Sequence, residues 1–438
     1  MSGVFQIKQY ENPHIGKLIK ALREHRKISQ ETLARDAYFN RTTLSQIELG
    51  NQACPDELLL AIKAALKVED LPLRDIERVE FREELYKWHG VISERKLDEA
   101  QELREKLSII KLLPEDKELN ILFSLFECKL LLSLNDLDAS KKILDAFVIE
   151  ELRDIQLYHY YYNQGTFCIR SKHNQEALDF YLKAYDLMKC GLEKNIALYY
   201  SIAISYERLG LVTQAITFLE EACMIQSTGH GSIPEFHSYS FLGANYTGTG
   251  HLQRAKYMLD RAHAIAINDY NSNVAAGTKA NLGLVHLNYG FLFRMARKLR
   301  RAIEHLDTAL MHLDIDDVNY LEALYQKTRC FMEMGNLSSC MDLLVHGHKL
   351  SIYNKVYRLM FEAIRLMLDN NDESAKKLET HILPYMLENN FVYPALDYAM
   401  FLRDYYKTKG RGFKTRSLEM SDVVCTVLNL MHEGGVIE

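Results

Sequence analysis

The chain has 438 residues, 48% of them hydrophobic and 26% charged, with seven prolines and 21 glycines. That balance excludes a disordered or collagen-like chain, and no stretch of about 18 apolar residues is free of charge, which excludes a membrane-spanning helix. The net charge of −6 argues against a nucleic-acid partner until it is divided: residues 12–68 hold nine Lys/Arg against six Asp/Glu, net +3, and the remainder holds 44 against 53, net −9. A small basic head on a large acidic body is thus predicted. No proline lies between Pro114 and Pro234 or between Pro234 and Pro384. Proline breaks helix interiors, so this scarcity predicts an all-α chain of long helices. At roughly 150 residues per domain, the length fits three domains or one repeat array. Met1 to Asn12 lacks a basic stretch followed by an apolar run, so no secretory signal is expected and a cytoplasmic location is. The eight cysteines include no CxxC pair, which speaks against a disulfide framework or a cysteine zinc site and predicts mostly buried thiols.

The first predicted helix carries Ile15, Leu18, Ile19 and Leu22 at helical spacing and ends near His25. Ser29 stands as the N-cap of a second helix beginning at Gln30, and Asn40 caps a third beginning at Arg41. Gly50 closes that third helix. Asp56 opens a fourth, whose inner face is Leu58, Leu59, Ile62, Ala65 and Leu66. In the third helix, Arg41, Thr42, Ser45 and Gln46 share the face opposite the apolar Leu44 and Ile47, with Thr43 beside them in the first turn. A helix enters the DNA major groove with its N-terminal residues toward base edges. Arginine there pairs with guanine and glutamine with adenine, each worth ~1–3 kcal/mol of discrimination.

The run from Ile15 to Leu66, with Ser29–Ala34 reading SQETLA and Thr42–Gly50 reading TTLSQIELG, resembles the helix-turn-helix of lambdoid phage repressors and their bacterial relatives. The resemblance implies that Gln30 anchors the second helix to the DNA backbone. It also implies that Arg23 and Glu48 form the charge pair joining the first helix to the end of the third, and that Leu44 and Ile47 are buried.

Residues 69–80 read as a linker containing Pro72, with a connecting helix beginning after Leu71. Beyond it, self-similarity dominates. The tetratricopeptide pattern asks for a small residue at position 8, a large one at 11, often glycine at 15, small residues at 20 and 27 and a large one at 24. From Tyr158 the series is Gly165, Cys168, Ala177, Tyr181, Ala184; from Ile196 it is Ala203, Tyr206, Gly210, Ala215, Leu219, Ala222; from Phe236 it is Gly243, Tyr246, Gly250, Ala255, Leu259, Ala262. A fourth copy counted from Ala276 places Gly283 and Gly290 at positions 8 and 15, but its second helix then arrives seven residues late, as an insertion of about two helical turns. A fifth starts near Leu321, and weaker copies start near Phe81, Ile121 and Val356. An extended loop is expected at Ser227 to Glu235. The division is therefore a head (1–68), a linker (69–80), repeats (81–390) and C-terminal capping helices (391–438), the repeats winding as a right-handed superhelix.

First-helix residues at positions 2, 5, 6, 9, 12 and 13 line the concave wall of such an array. They include Tyr162, Asn163 and Arg170, then Tyr200, then Asn281 and Asn288, then Gln326 and Arg329, with Asn245 just beside the wall. Asparagine both donates and accepts, which suits an extended peptide backbone. A repressor-like head joined to a tetratricopeptide body resembles the peptide-pheromone receptors of Gram-positive bacteria, the Rgg, PlcR, PrgX and NprR group. The resemblance implies a homodimer or higher homo-oligomer that binds a pseudo-palindromic operator and is switched by a short imported peptide. The segment Glu83 to Leu107 is distantly similar to the N-terminal helices of Rap proteins, which leaves open a modulator that acts on a response regulator. No HExxH, Walker loop or GxSxG is present. No enzyme, cofactor, metal or membrane role is expected.

Overall fold

A computed structural model describes residues 12–68, 75–110, 112–113, 116–191, 194–225, 233–272 and 278–433. No strand occurs among the described residues. The chain forms two compact units, Met1–His159 and Tyr160–Glu438.

The first unit opens with α1 (Asn12–His25), α2 (Gln30–Asp36), α3 (Arg41–Glu48) and α4 (Asp56–Ala65). Ile19, Leu22, Leu33, Leu44, Ile47 and Ile62 converge to a dry core, as their spacing predicts. Gly16 on α1 lies so close to the Ile47 carbonyl that any Cβ there would overlap it, which lets α1 pack flush on α3. After the head come α5 (Asp75–Ser93), α6 (Leu97–Ser108), α7 (Lys117–Ser133), α8 (Leu137–Asp145) and the start of α9 (Asp154–Arg170). The connecting helix is thus described from Asp75 onward, and residues 69–74 of the predicted linker lie outside the described residues.

The second unit continues α9 and adds α10 (Asn174–Lys189), α11 (Ile196–Arg208), α12 (Val212–Met224), α13 (Ile233–Gly248) and α14 (Leu252–Ser272). Then follow α15 (Thr278–Met295), α16 (Leu299–His312), α17 (Val318–Glu333), α18 (Leu337–Leu350) and α19 (Lys355–Asp369). Next are α20 (Asp372–Lys377), a π-helical turn at Leu378–Ile382 and α21 (Leu383–Glu388); α22 (Val392–Thr408) and α23 (Lys414–Glu433) complete the chain. Of the expected loop at Ser227 to Glu235, residues 227–232 lie outside the described residues, while 233–235 already belong to α13.

Within each hairpin the position-8 residue faces the position-24 residue. A Cβ on Gly165 would come within 2.6 Å of the Tyr181 ring, and one on Gly243 within 2.6 Å of Leu259. Gly290 meets Leu306 in the same way, sixteen residues apart as in the other pairs. This corrects the register of the fourth copy. It starts at residue 283, Gly290 is its position 8, and no seven-residue insertion exists. The glycine at 283 misled the count because Gly283 also packs closely, against Leu313.

The hairpin turns supply an independent ruler. Arg95, Asn135, Lys172, Gly210, Gly250, Arg297, Gly335 and Asn370 all adopt left-handed φ, between 45° and 82°. Each is position 15 of a copy starting at 81, 121, 158, 196, 236, 283, 321 or 356. The turn demands that conformation to end the first helix. Glycine is only its cheapest solution, and arginine, lysine or asparagine fills five of these eight positions. Five of the eight cysteines are buried, as expected, but Cys190 and Cys425 are exposed and Cys223 is half-buried.

Candidate nucleic-acid interface and repeat wall

The reading head is built from its caps outward. Ser29 Oγ accepts the Thr32 amide at 3.0 Å, fixing the start of α2, and Asn40 Oδ1 accepts the Thr43 amide at 2.7 Å, fixing the start of α3. Leu44, Ile47 and Glu48 point inward. Arg41 and Thr42 are exposed, and Thr43, Ser45 and Gln46 are half-buried. Gln46 Oε1 accepts from Asn51 Nδ2 at 3.1 Å.

Behind this face, Arg23 Nε and Nη2 donate to the two Glu48 carboxylate oxygens at 2.6 and 2.8 Å. The hydrogen bond to Glu48 holds the Arg23 guanidinium above its ordinary pKa against the opposing effect of burial. Gln30 Nε2 donates to the same carboxylate at 2.7 Å. Gln30 is therefore tethered to α3 through its amide nitrogen. Tyr38, which the sequence reading passed over, occupies the turn between α2 and α3 at φ 60° and 96% exposed. Strain at that position costs of order 1 kcal/mol for a bulky residue.

The repeat-wall residues divide into two groups. Near the start of the second unit, Tyr162 packs at a tilt against Tyr181 and its hydroxyl lies 3.4 Å from Ser201 Oγ; Tyr200 packs against His237 and Phe241. Asn163 is buried between them in sequence, and Arg170 is exposed at the end of α9. Glu207, on the same helix as Tyr200, has its carboxyl pushed up by burial.

The second group is engaged within the fold. Asn288 Nδ2 donates to Ser240 Oγ at 2.9 Å. Gln326 accepts from Arg294 Nε at 2.8 Å and donates to Glu322 at 2.6 Å. Arg329 reaches Asp397 at 2.9 Å and the Tyr325 hydroxyl at 3.1 Å. Burial works against its charge, yet Tyr325, Asp397 and Tyr398 hold its pKa above the ordinary value. Asn245 donates to the Phe241 carbonyl and accepts from the Tyr393 hydroxyl at 3.4 Å. Asn281 is half-buried near the start of α15, one heptad before Asn288 and so on the same face of that helix, and the corrected register leaves that face unchanged.

The partners of this second group reveal what sequence reasoning missed. Tyr393, Asp397 and Tyr398 all belong to α22. Its residues meet Asn245 and Gly248 on α13, Phe291 on α15, and Tyr325 and Arg329 on α17. Val392 touches Gly210, and Thr213 on α12 donates to the Met431 carbonyl at 2.7 Å. The last helix pair therefore lies along the first-helix wall of three repeats and reaches the turn of a fourth. Burial among these groups pushes the Tyr393 phenol up.

A helix-turn-helix domain family model matches residues 16–76. The transcriptional activator NprA of Geobacillus stearothermophilus is 23% identical over 396 residues, covering 85% of this chain and 94% of NprA. The regulatory protein RapD of Bacillus subtilis (strain 168) is 21% identical over 340 residues, covering 74% of this chain and 93% of RapD. Among solved structures, the apo quorum sensor NprR of B. thuringiensis superposes with a TM-score of 0.63 at 17% identity, over 81% of this chain and 99% of that one. NprR in complex with its cognate peptide NprX gives 0.60 at 18% identity, over 80% and 100%. The chain has the architecture of the NprR and Rap proteins. The resemblance read from its sequence, a helix-turn-helix joined to tetratricopeptide-like repeats, holds over most of its length.

Proposed function

We propose that this chain is a transcription regulator that reads a pseudo-palindromic operator as a homodimer and is switched by a short signalling peptide held on its repeat wall. The observation that carries the reading is the polar face of α3, presented on a capped and buried frame. The likeness to NprA, a transcriptional activator, along nearly all of both chains supports it. NprR, whose fold this chain shares, has been solved with a cognate peptide. In this reading Arg41, Thr42, Ser45 and Gln46 face the bases, with Thr43 and Gln30 toward the phosphates. Two copies of α3 stand ~34 Å apart on successive major grooves. Peptide contacts fall to Tyr162, Asn163, Arg170, Tyr200 and Asn281, and to Asn245, Asn288, Gln326 and Arg329 once their present partners give way. The working domain division is a head at 1–68, a linker at 69–80, repeats at 81–390 and a C-terminal pair at 391–438.

The test is selection of duplexes from a random pool by the full chain, followed by footprinting of the selected site. Arg41→Ala combined with Gln46→Ala removes two base contacts worth ~1–3 kcal/mol each, so specific binding falls by about two orders of magnitude or more. An unchanged footprint from the double variant refutes the DNA-reading role. A library of short synthetic peptides, screened against the same protein–DNA complex, tests the switch. Members that bind must alter the footprint and must bind more weakly to Asn163→Ala. A second reading, a modulator of a response regulator, is favoured by the likeness to RapD. It predicts that the full chain changes the lifetime of a response regulator's phosphoryl group whether or not operator DNA is present.

A further inference from the structure

The second unit carries one strongly basic cleft that the reading above leaves unused. It lies between the end of α22 and the start of α23, with a volume of about 740 Å³. The connecting turn is Lys409-Gly410-Arg411-Gly412. Phe413 stacks on Tyr406 with ring centroids 5.8 Å apart and nearly parallel, which pins the turn to α22. Gly410 adopts φ 86°, and a Cβ on Gly410 or Gly412 would meet nothing within 4 Å, so the turn presents bare backbone to open space.

The charges around the cleft fall into two classes. Arg403 pairs with Asp404 at 2.8 Å, Lys409 with Asp372 at 2.9 Å, and Arg416 with Glu379 at 3.9 Å. The side chains of Lys407, Arg411 and Lys414 line the same cleft and make no ion pair or hydrogen bond with the described residues. The one carboxylate in the lining, Asp404, is already matched by Arg403, so the cleft keeps an excess of three positive charges. The chain outside the head is net acidic, so this concentration is not a by-product of a basic surface. Three like charges around one cavity repel one another and are relieved by an anion. A single carboxylate would neutralise only one of them. Phosphate chemistry supplies two or more negative charges on a compact group, and arginine binds it through paired N–H donors. The cleft also opens on the first turn of α23, a 20-residue helix whose dipole adds to the attraction.

We infer that this cleft binds a small molecule carrying a pyrophosphate or polyphosphate group, with Arg411 as its main anchor and Lys407 and Lys414 flanking the charge. A volume of this size lies in the range of ordinary small-ligand sites, roughly 300–1,000 Å³.

The experiment is calorimetric titration of the full chain with inorganic pyrophosphate and, separately, with ATP and AMP. Saturable binding of pyrophosphate or ATP at one site per chain, at least tenfold tighter than AMP, is the expected result. Arg411→Gln with Lys414→Gln, both exposed side chains, should weaken it at least tenfold while the circular-dichroism melt stays unchanged; Lys407→Gln alone should weaken it severalfold. Binding of pyrophosphate but not ATP identifies a free inorganic ligand, and tighter binding of ATP identifies a nucleotide; either supports the site. The inference is overturned if neither probe saturates at millimolar concentration, or if the glutamine variants bind as the parent does. It is equally overturned if an aspartate-rich peptide or non-operator duplex DNA displaces pyrophosphate with higher affinity, since the cleft would then serve a macromolecule.

Discussion

Replacing Lys129 by methionine should stabilise the first unit near neutral pH and remove the rise of its stability with pH. Lys129 on α7 is half-buried, with its amine turned inward, 2.8 Å from His89 Nε2 and 2.6 Å from Ser93 Oγ. His159 closes the cluster, its ring 4.9 Å from that of His89. Burial pushes the lysine down to about 7 from an ordinary 10.5. It also pushes His159 down to about 3 and His89 well below its usual range. Between pH 7 and 10.5 the unfolded chain therefore binds a proton that the folded chain does not, so stability rises with pH across that window. A difference of about 3.5 units corresponds to roughly 4–5 kcal/mol, of which roughly 1.5–2 kcal/mol returns between pH 7 and 8.5. Above that, the Cys128 thiol, pushed up to about 12 by burial, gives a slope of the opposite sign. Methionine fills the space without a charge and forfeits two hydrogen bonds worth about 1 kcal/mol each, leaving a net gain of about 2–3 kcal/mol at pH 7. The two histidines give a slope of the same sign lower on the scale: their stability is present above pH 6.5 and is lost as pH falls through the acid range.

The chain provides its own probe. Trp88 is the single tryptophan, fully buried on α5 beside His89, with its indole donating to the Ala100 carbonyl at 2.8 Å. Urea titrations followed by its fluorescence at pH 7.0 and about 8.5 measure the slope directly. A wild-type midpoint that does not move between those pH values, or a Lys129→Met protein that keeps the wild-type slope, refutes the reasoning.

Arg23→Met leaves the buried Glu48 carboxylate with Gln30 as its remaining side-chain partner. Breaking a buried pair costs about 3–5 kcal/mol, comparable to the whole stability of a head this small, so amide exchange in α1–α3 should reach the unfolded rate and operator binding should vanish. Preservation of either would show that the pair is dispensable. Tyr38→Gly relieves the left-handed strain in the turn and should raise the head's melting temperature or leave it unchanged; a clear drop would show that the exposed ring makes a stabilising contact. Tyr393→Ala removes a ring wedged against Gly248 and Asn245 and should cost about 3 kcal/mol, seen as faster amide exchange along α22 and along the facing turns of α13. Unchanged exchange there would show that α22 is held by its other contacts alone.

The head was legible because its signals are local. Ser29 and Asn40 cap helices three residues away, and the apolar spacing of Ile15 to Leu22 and of Leu44 and Ile47 fixes which face is inside. The copies at 81, 121, 158 and 356 were placed in register although Arg95, Asn135, Lys172 and Asn370 stand at position 15. The fourth was misread because two glycines seven residues apart imitate positions 8 and 15: Arg297 takes the left-handed turn that Gly290 was assigned to, and a one-heptad slip followed. The physical rule at that position is a backbone conformation, which arginine, lysine and asparagine also meet, so a search for glycine alone undercounts the turns. The wall itself was the least legible feature. Its polar residues were read as a polar first-helix face, but Asn245 finds Tyr393 148 residues away and Arg329 finds Asp397 68 residues away. Periodicity within a helix says which side chains share a face and is silent about which distant helix lies on it. The composition does hold one trace of the answer: α22 and its flanks concentrate tyrosine (Tyr393, Tyr398, Tyr405, Tyr406), and a helix ringed with tyrosine has polar tips to satisfy on more than one side. Such a helix fits a position between packed elements better than a solvent-facing cap, which is where Tyr398 and Tyr406, both almost completely buried, are found.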